Sequence, residues 1–309
     1  MKKRILCMGS INIDLTMFAN ELPKPGESIK TDNFQTFPGG KGGNQSATIA
    51  LLGGNVQFFT KMGDDDFSKS LISKQKEDGV DTSAIIIEEN ETSGVAMIMV
   101  DSHAQNSILF TPGANGHMSA PVVRAHADIF DECDILLLTM EIPTDACFEA
   151  IRIAKSKGKT VVLDPAPAPR DGIPDEIAKL VDYTKPNETE AEILTGIKVD
   201  SMESAKKALI ELHKLGFKTP ILSIGNKGAM VYSENKFSFY KPFDMDSIDT
   251  TAAGDIFIAS FTEALSEGKT LHDSMIFASA AASLSTTVKG AQTSIPSVEK
   301  INELITGKK

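Results

Sequence analysis

CDILLLTMEIPTDACFEAIRIAKSKGKTVVLD, residues 133–164, reads as a strand, a helix and a second strand in succession. CDILLLTM (133–140) is a short apolar run, and TDACFEAIRIAKSKG (144–158) has helical periodicity with a glycine stop. KTVVLD (159–164) is apolar again. The rhythm continues through YTKPNETEAEILTG (183–196), SMESAKKALIELHKLG (201–216) and PILSIG (220–225). Continuously apolar strands alternating with amphipathic helices predict an α/β fold with a mostly parallel sheet covered on both faces. In such sheets ligands bind beyond the carboxyl ends of the strands, so functional motifs are expected at strand ends.

Working outward, KRILCMG (3–9) is the first strand and runs into SINID (10–14). SIKTDNFQTF (28–37) and SGVAMIMVDSHAQNSILF (93–110) are extended, and Asp101, Ser102 and His103 suit a hairpin within the second. On its leading arm Val95, Met97 and Met99 face one way while Ala96, Ile98 and Val100 face the other. A strand apolar on both faces needs cover on both, from a ligand, the main domain or another subunit.

The 309 residues suffice for one large domain, and no linker, repeat or low-complexity segment divides 1–309. The net charge of -11 and the scarcity of basic clusters argue against nucleic-acid and membrane-surface partners, though not against a nucleotide bound as its magnesium complex. Cys7, Cys133 and Cys147 have no CxxC spacing and read as buried thiols in a reducing compartment. MKKRILCMG starts basic, but Asn12 and Asp14 break the apolar run too early for a signal peptide, so a cytoplasmic location is expected.

PGGKGGNQSA (38–47) sets four glycines around Lys41 before a helix start. The glycines permit close backbone approach, and Lys41 and Asn44 supply donors for a polar ligand. With Gly42 after Lys41 the stretch is not a Walker A loop. Asn12 and Asp14 are two apart, on one face of an extended chain, and suit vicinal hydroxyls; a polar turn explains them equally well. Glu141 is a further acceptor at a strand end. PNETEAEIL (186–194) puts Asn187 and Glu190 three apart at a helix start, where plain capping predicts the same residues. SIGNKG (223–228) is a strand ending in a glycine-flanked turn, compatible with a nucleotide or an ordinary hairpin.

In DTTAAGDIF (249–257) a helix begins after small residues. Its open first-turn amides and its dipole make a site for an anion. Asp255 beside that site would repel an anion, so its carboxylate makes better sense as a base taking a proton from an attacking hydroxyl. No HExxH, GxSxG or GxGxxG is present and the five histidines are scattered, which removes support for metalloprotease, serine hydrolase and Rossmann dehydrogenase chemistry.

The order SINID, GGKGGNQSA, LDPAPA (163–168), PNETEAE, SIGNKG, DTTAAGD and KGAQTSIP (289–296) resembles the ribokinase (pfkB) family of carbohydrate kinases, nearly end to end. The resemblance implies a ribokinase-like fold with a small β-sheet lid, formed by about residues 15–37 and 93–112, that also pairs two subunits into a homodimer. It implies ATP-dependent phosphorylation of the ribose 5-hydroxyl. The alternatives are another furanose, a nucleoside or a ketose as substrate, or a sugar-binding protein with little turnover. Asn12, Asp14, Gly40, Lys41, Asn44 and Glu141 would hold the sugar, and Asp255 would be the base. The amides of Ala252, Ala253 and Gly254 would stabilise the moving phosphoryl group. Asn187, Glu190, Ser223, Gly225, Gly228, Gly254 and Ser279 would meet ATP and magnesium. A potassium site would draw on Asp249, Thr251, Ser285, Val288, Gly290 and Ser294. Some positions depart from the family pattern. Ile256 stands where threonine is usual, Ile258 where a small or amide residue is common, Asp164 where asparagine is common, and Pro112 is unusual near the lid. Isoleucines beside the base are expected to weaken activity without abolishing it.

Overall fold

The computed structural model describes residues 2–103 and 105–307. Along the chain the strands are β1 (Arg4–Met8), β2 (Asn12–Phe18), β3 (Asn33–Gly39), β4 (Asn55–Gly63), β5 (Ile85–Glu88), β6 (Gly94–Val100) and β7 (Asn106–Thr111). They continue with β8 (Ile135–Thr139), β9 (Thr160–Asp164), β10 (Tyr183–Thr184), β11 (Thr219–Ser223), β12 (Ala229–Ser233) and β13 (Lys236–Tyr240). Nine form one sheet in the order β13-β12-β11-β10-β9-β8-β1-β4-β5, parallel except for the terminal β12–β13 hairpin. That hairpin turns through Glu234 and Asn235, both at positive φ, which matches the right-handed strand twist.

Alternate strand residues enter different cores. Leu6, Met8, Leu136, Leu138, Val161 and Leu163 pack under the helix Thr144–Ser156, through its Ala146, Cys147, Ala150, Ile151 and Ala154. Ile5, Cys7, Ile135, Leu137 and Val162 pack on the other side with Ile49, Phe257, Ile258, Phe261 and Met275. These last residues belong to the helices Lys41–Leu51, Ala253–Ser266 and Leu271–Ser285. Each large apolar side chain buried this way contributes roughly 1.5–3 kcal/mol of transfer free energy. All three cysteines are free and buried, as expected. Among the described residues no helix is long and apolar enough to cross a membrane.

The second sheet has four strands in the order β3-β2-β6-β7. Here the sequence reading needs correction. SINID does not end the first strand: β1 stops at Met8, and Asn12 and Asp14 open β2, which belongs to the small sheet. The extended backbone continues across this junction while its hydrogen-bonding partners change. Within 28–37 the strand begins only at Asn33. The hairpin around Asp101 is present, with the Asp101 carboxylate accepting from the amides of His103 and Gln105. Register places Met17 beside Phe34, and Met97 beside Leu109, all on the face opposite Asn12 and Asp14. They are 42%, 53%, 53% and 72% exposed, so the expected double apolar strand leaves one face in need of cover.

Candidate active site

The small sheet, the helix Lys41–Leu51 and the helix Ala253–Ser266 meet beyond the carboxyl end of β1. Gly40, at φ +80, lets the first of these helices begin against the strand crossover: a Cβ there would lie 2.7 Å from the Ile11 Cα. This close seating aims Lys41, Asn44 and Gln45 across at the start of the other helix.

That other start is unusual. Ala252, the residue before the first turn, is left-handed at φ +59 and gives no side-chain cap. The Ala253 amide donates to the Thr250 carbonyl at 3.2 Å. Among the described residues the amides of Ala252, Gly254 and Asp255 meet no acceptor within the chain. The expected amide set of Ala252, Ala253 and Gly254 therefore loses Ala253 and gains Asp255. Open amides at a helix start with a favourable dipole hold negative charge well.

Asp255 is buried at this turn. Its carboxylate accepts from Asn44 Nδ2 at 3.0 Å and from Gln45 Nε2 at 3.3 Å, and the Lys41 ammonium lies 3.9 Å away. Gln45 Nε2 also donates to Asp164 at 3.0 Å, tying the two carboxylates together. Lys41 is held more firmly protonated than usual by Asp255 first, against the cost of its burial, with Asp164, Glu141 and Glu190 assisting. Asp164 is pushed up from the ordinary carboxylate range by burial, against the pull of Lys185 and Lys41.

On the small-sheet side Asn12 is buried, and its side-chain carbonyl accepts from Asn115 Nδ2 at 3.0 Å. Asp14 is half-buried, and burial with the nearby Glu141 charge pushes its carboxyl up to about 6. Glu141 accepts from the Ser10 hydroxyl and from the Lys41 amide at 3.1 Å. Lys41 and Asn44 thus reach Asp255, Glu141 holds the Lys41 amide and lies near Asp14, and Asn12 shares a strand face with Asp14, so the six converge on one region. Carboxylates and amides of this kind suit a molecule bearing several hydroxyls.

On the far side of the open turn lies a cleft of about 930 Å³. Asn187, Ser223, Gly225, Gly228, Gly254 and Ser279 line it, with Lys227, Lys241, Phe239 and Phe257. Glu190 stands behind this wall. It forms a complete capping box with Asn187, whose side chain accepts from the Glu190 amide at 2.9 Å while Glu190 accepts from the Asn187 amide at 2.8 Å. The capping pattern that the sequence allowed is realised, and Asn187 faces the cleft as well.

Near the same turn the Asp249 carboxylate accepts from the Thr251 amide and hydroxyl, at 2.9 and 2.7 Å, and from the Gly290 amide at 2.8 Å. These donors outweigh its burial and lower its pKa. The Ser285 hydroxyl is spent on the Ala282 carbonyl, and Ser294 donates to the Ala291 carbonyl. Oxygens left for a cation here would be mostly main-chain carbonyls, including that of Val288. Among the described residues no group of three or more His, Cys, Asp or Glu side chains forms a metal cage.

The isoleucines require a correction. Ile256 and Ile258 are fully buried and point into two different cores, Ile256 against Leu52, Phe277 and Ile301, Ile258 beneath the main sheet. Neither faces the cleft, so the expected weakening has no structural basis. Sequence reasoning also missed Gln45, Asn115, Gln292 and Lys185. Gln292 donates to Asn44 at 3.3 Å, and Lys185 lies 3.3 Å from the Gly254 carbonyl. Only Gln45 carried a signal, because it adjoins Asn44 in the glycine-rich stretch.

Comparison with known proteins agrees with this geometry. A family model described as pfkB family carbohydrate kinase matches residues 2–298. A ribokinase of Haemophilus influenzae is 40% identical over 99% of both chains. A deoxyribokinase of Salmonella typhi is 34% identical over 97% of this chain and 98% of its own. The structure of Arabidopsis thaliana ribokinase with ribose and ATP superposes with a TM-score of 0.93, at 33% identity and 99% coverage of both chains.

Proposed function

The chain belongs to the pfkB family of carbohydrate kinases, and on that premise we propose that it transfers the γ-phosphoryl group of ATP to the 5-hydroxyl of D-ribose. The observation that carries this reading is Asp255, a buried carboxylate in the first turn of a helix whose amides are open. Asn44 and Gln45 fix both its oxygens, so a sugar hydroxyl entering beside Lys41 and Asp14 would meet a positioned acceptor for its proton. The open amides of Gly254 and Asp255 then face the charge of the transferring group. Phosphoryl transfer is mostly positioning and charge stabilisation, which this turn supplies.

Asn12, Asp14, Gly40, Lys41, Asn44 and Glu141 form the sugar side in this reading, and the 930 Å³ cleft, with Asn187, Ser223, Gly225, Gly228 and Ser279, takes the nucleotide. A magnesium ion bound with the nucleotide would supply charge neutralisation at the phosphates, and Glu190, one of whose oxygens closes the capping box, would be the acidic side chain to help hold it. Main-chain carbonyls around Asp249, Thr251, Ser285, Val288, Gly290 and Ser294 suit a weakly hydrated potassium ion better than a divalent one. The small sheet, residues 12–39 and 94–111, acts as the lid. Its exposed face of Met17, Phe34, Met97 and Leu109 supports pairing of two lids in a cytoplasmic homodimer. A binding protein without turnover loses its motive once both isoleucines are found in the core.

ADP release is to be measured with ATP, magnesium and potassium across D-ribose, deoxyribose, fructose and adenosine, beside Asp255→Asn. Ribose-dependent release that vanishes in the variant supports the reading. Faster release with deoxyribose, the substrate class named for the Salmonella relative, would move the assignment by one hydroxyl. Sugar-independent background with every compound would remove it.

A further inference from the structure

Lys185 lies between β10 and the Pro186-Asn187 entry to the next helix, and it is 4% exposed. Its ammonium stands 3.4 Å from Asp164 Oδ1 and 3.3 Å from the Gly254 carbonyl. A Cβ on Gly254 would lie 3.4 Å from the same nitrogen, so the cation sits directly over the turn with the open amides. An ammonium has three N–H donors; the Gly254 carbonyl engages one, and Asp164 Oδ1, at ion-pair distance, accepts no hydrogen bond. Taking both charges of a Lys–Asp pair out of water costs several kcal/mol per ion, and an apolar pair of equal volume is commonly as stable. Packing therefore gives no reason for this pair. Its location does, because the nearest unmet need for positive charge is the anion site beside it.

We propose that Lys185 is a further catalytic residue, donating a free N–H to the terminal phosphoryl group of ATP, with the charge of Asp164 as the positioning partner that holds it there. The inference rests on the kinase reading above. As the sugar O5 bonds to Pγ, the bond from Pγ to the bridging oxygen breaks and its electron pair leaves with ADP. The hydroxyl proton passes to Asp255. Lys185 keeps its protons throughout and stabilises a non-bridging oxygen by a charge-assisted hydrogen bond. This also accounts for Asp164, the departure from the family's asparagine: a carboxylate is needed to orient and charge-balance Lys185, and Gln45 carries that alignment on to Asp255.

The test compares wild type, Lys185→Met, Lys185→Arg and the double variant Asp164→Asn/Lys185→Met. The double variant removes both charges, so it remains informative if an unpaired Asp164 prevents the single variant from folding. Expected is a fall in kcat of about 10²–10³ in the double variant with KM for the sugar little changed, and partial rescue by arginine. Calorimetry with the non-hydrolysable β,γ-imido analogue of ATP, against ADP, provides the second arm. Loss of a charge-assisted contact to the terminal phosphate weakens analogue binding about tenfold and leaves ADP unchanged. If the double variant retains wild-type kcat and the analogue-to-ADP ratio, Lys185 is only a counter-ion and the proposal falls. If wild type turns over no sugar, the kinase reading fails, and the analogue-to-ADP ratio still decides whether Lys185 meets the terminal phosphate.

Discussion

The helix Glu188–Thr195 opens with its donors answered by its own side chains, Asn187 and Glu190 closing a reciprocal box, whereas the helix Ala253–Ser266 opens on a left-handed alanine with no side-chain cap. Both border one cleft. A capped start serves stability, because its amides are already satisfied. An uncapped one leaves amides exposed to whatever enters, and that cost is recovered only when an anion arrives. Helix starts near a pocket can therefore be sorted by whether the chain answers its own donors.

The comparison breaks most visibly at Asp255. Asp255→Asn keeps the side-chain volume but removes the proton acceptor and one of the two oxygens that Asn44 and Gln45 bond. Accordingly kcat should fall about 10²–10⁴-fold while stability falls by only about 1–3 kcal/mol. A stability loss well beyond that of one buried hydrogen bond, with turnover retained, would mean that the open start is structural after all. Asp14, across the space from it, tests the electrostatics. Its folded-state value of about 6 lies above the usual 3.9 or so for aspartate, so the folded chain binds that proton more tightly than the unfolded one. Ionising Asp14 thus costs stability progressively as pH rises from about 4 to about 6, and fully above that. Asp14→Asn should stabilise the ligand-free protein at pH 8 by on the order of 2 kcal/mol, with the gain gone at pH 4 in denaturant titrations. Ribose binding should weaken in the same variant, the cost of losing a charged acceptor.

Smaller effects sharpen the contrast. Asn187→Ala opens the capped start and should cost about 1 kcal/mol in urea unfolding, with kcat changed far less than in the Asp255 variant. Ala252→Gly relieves a left-handed alanine but loosens the unfolded chain, leaving a net gain of about 0.5 kcal/mol, detectable as a small rise in the urea midpoint with turnover retained.

The parallel sheet was legible because its strands are apolar on both faces, as in ILLLT and TVVLD, and its helices show their own period. The strand ends carried most of the site for the same reason, since such sheets gather ligands there. The move of Asn12 and Asp14 into another sheet was not legible, because extended backbone looks alike whichever strand it pairs with. Nor does a residue's identity say which side of a helix start faces the cleft, and Ile256 and Ile258 show how that misleads. Lys185 in YTKPNE reads as an ordinary solvated lysine; only the fold reveals that Asp164, 21 positions earlier, and Gly254, 69 positions later, enclose it.

One amide joins two of the four passages between the sheets. Asn115 accepts from the Ile11 amide at 3.0 Å and donates to the Ile11 carbonyl, the Asn12 side chain and the Pro112 carbonyl at 2.9–3.0 Å. The chain first enters the small sheet at Ile11 and Asn12 and finally leaves it beside Pro112. Two of the four crossings are thus tied at a single point, while the other two pass through Gly39 and Gly94. Asn12 is buried at that tie, whereas Leu109 stands exposed on the outer strand of the same sheet. The polar face of this sheet and its exposed apolar face therefore belong to one four-stranded body, so what touches one face bears on the placement of the other.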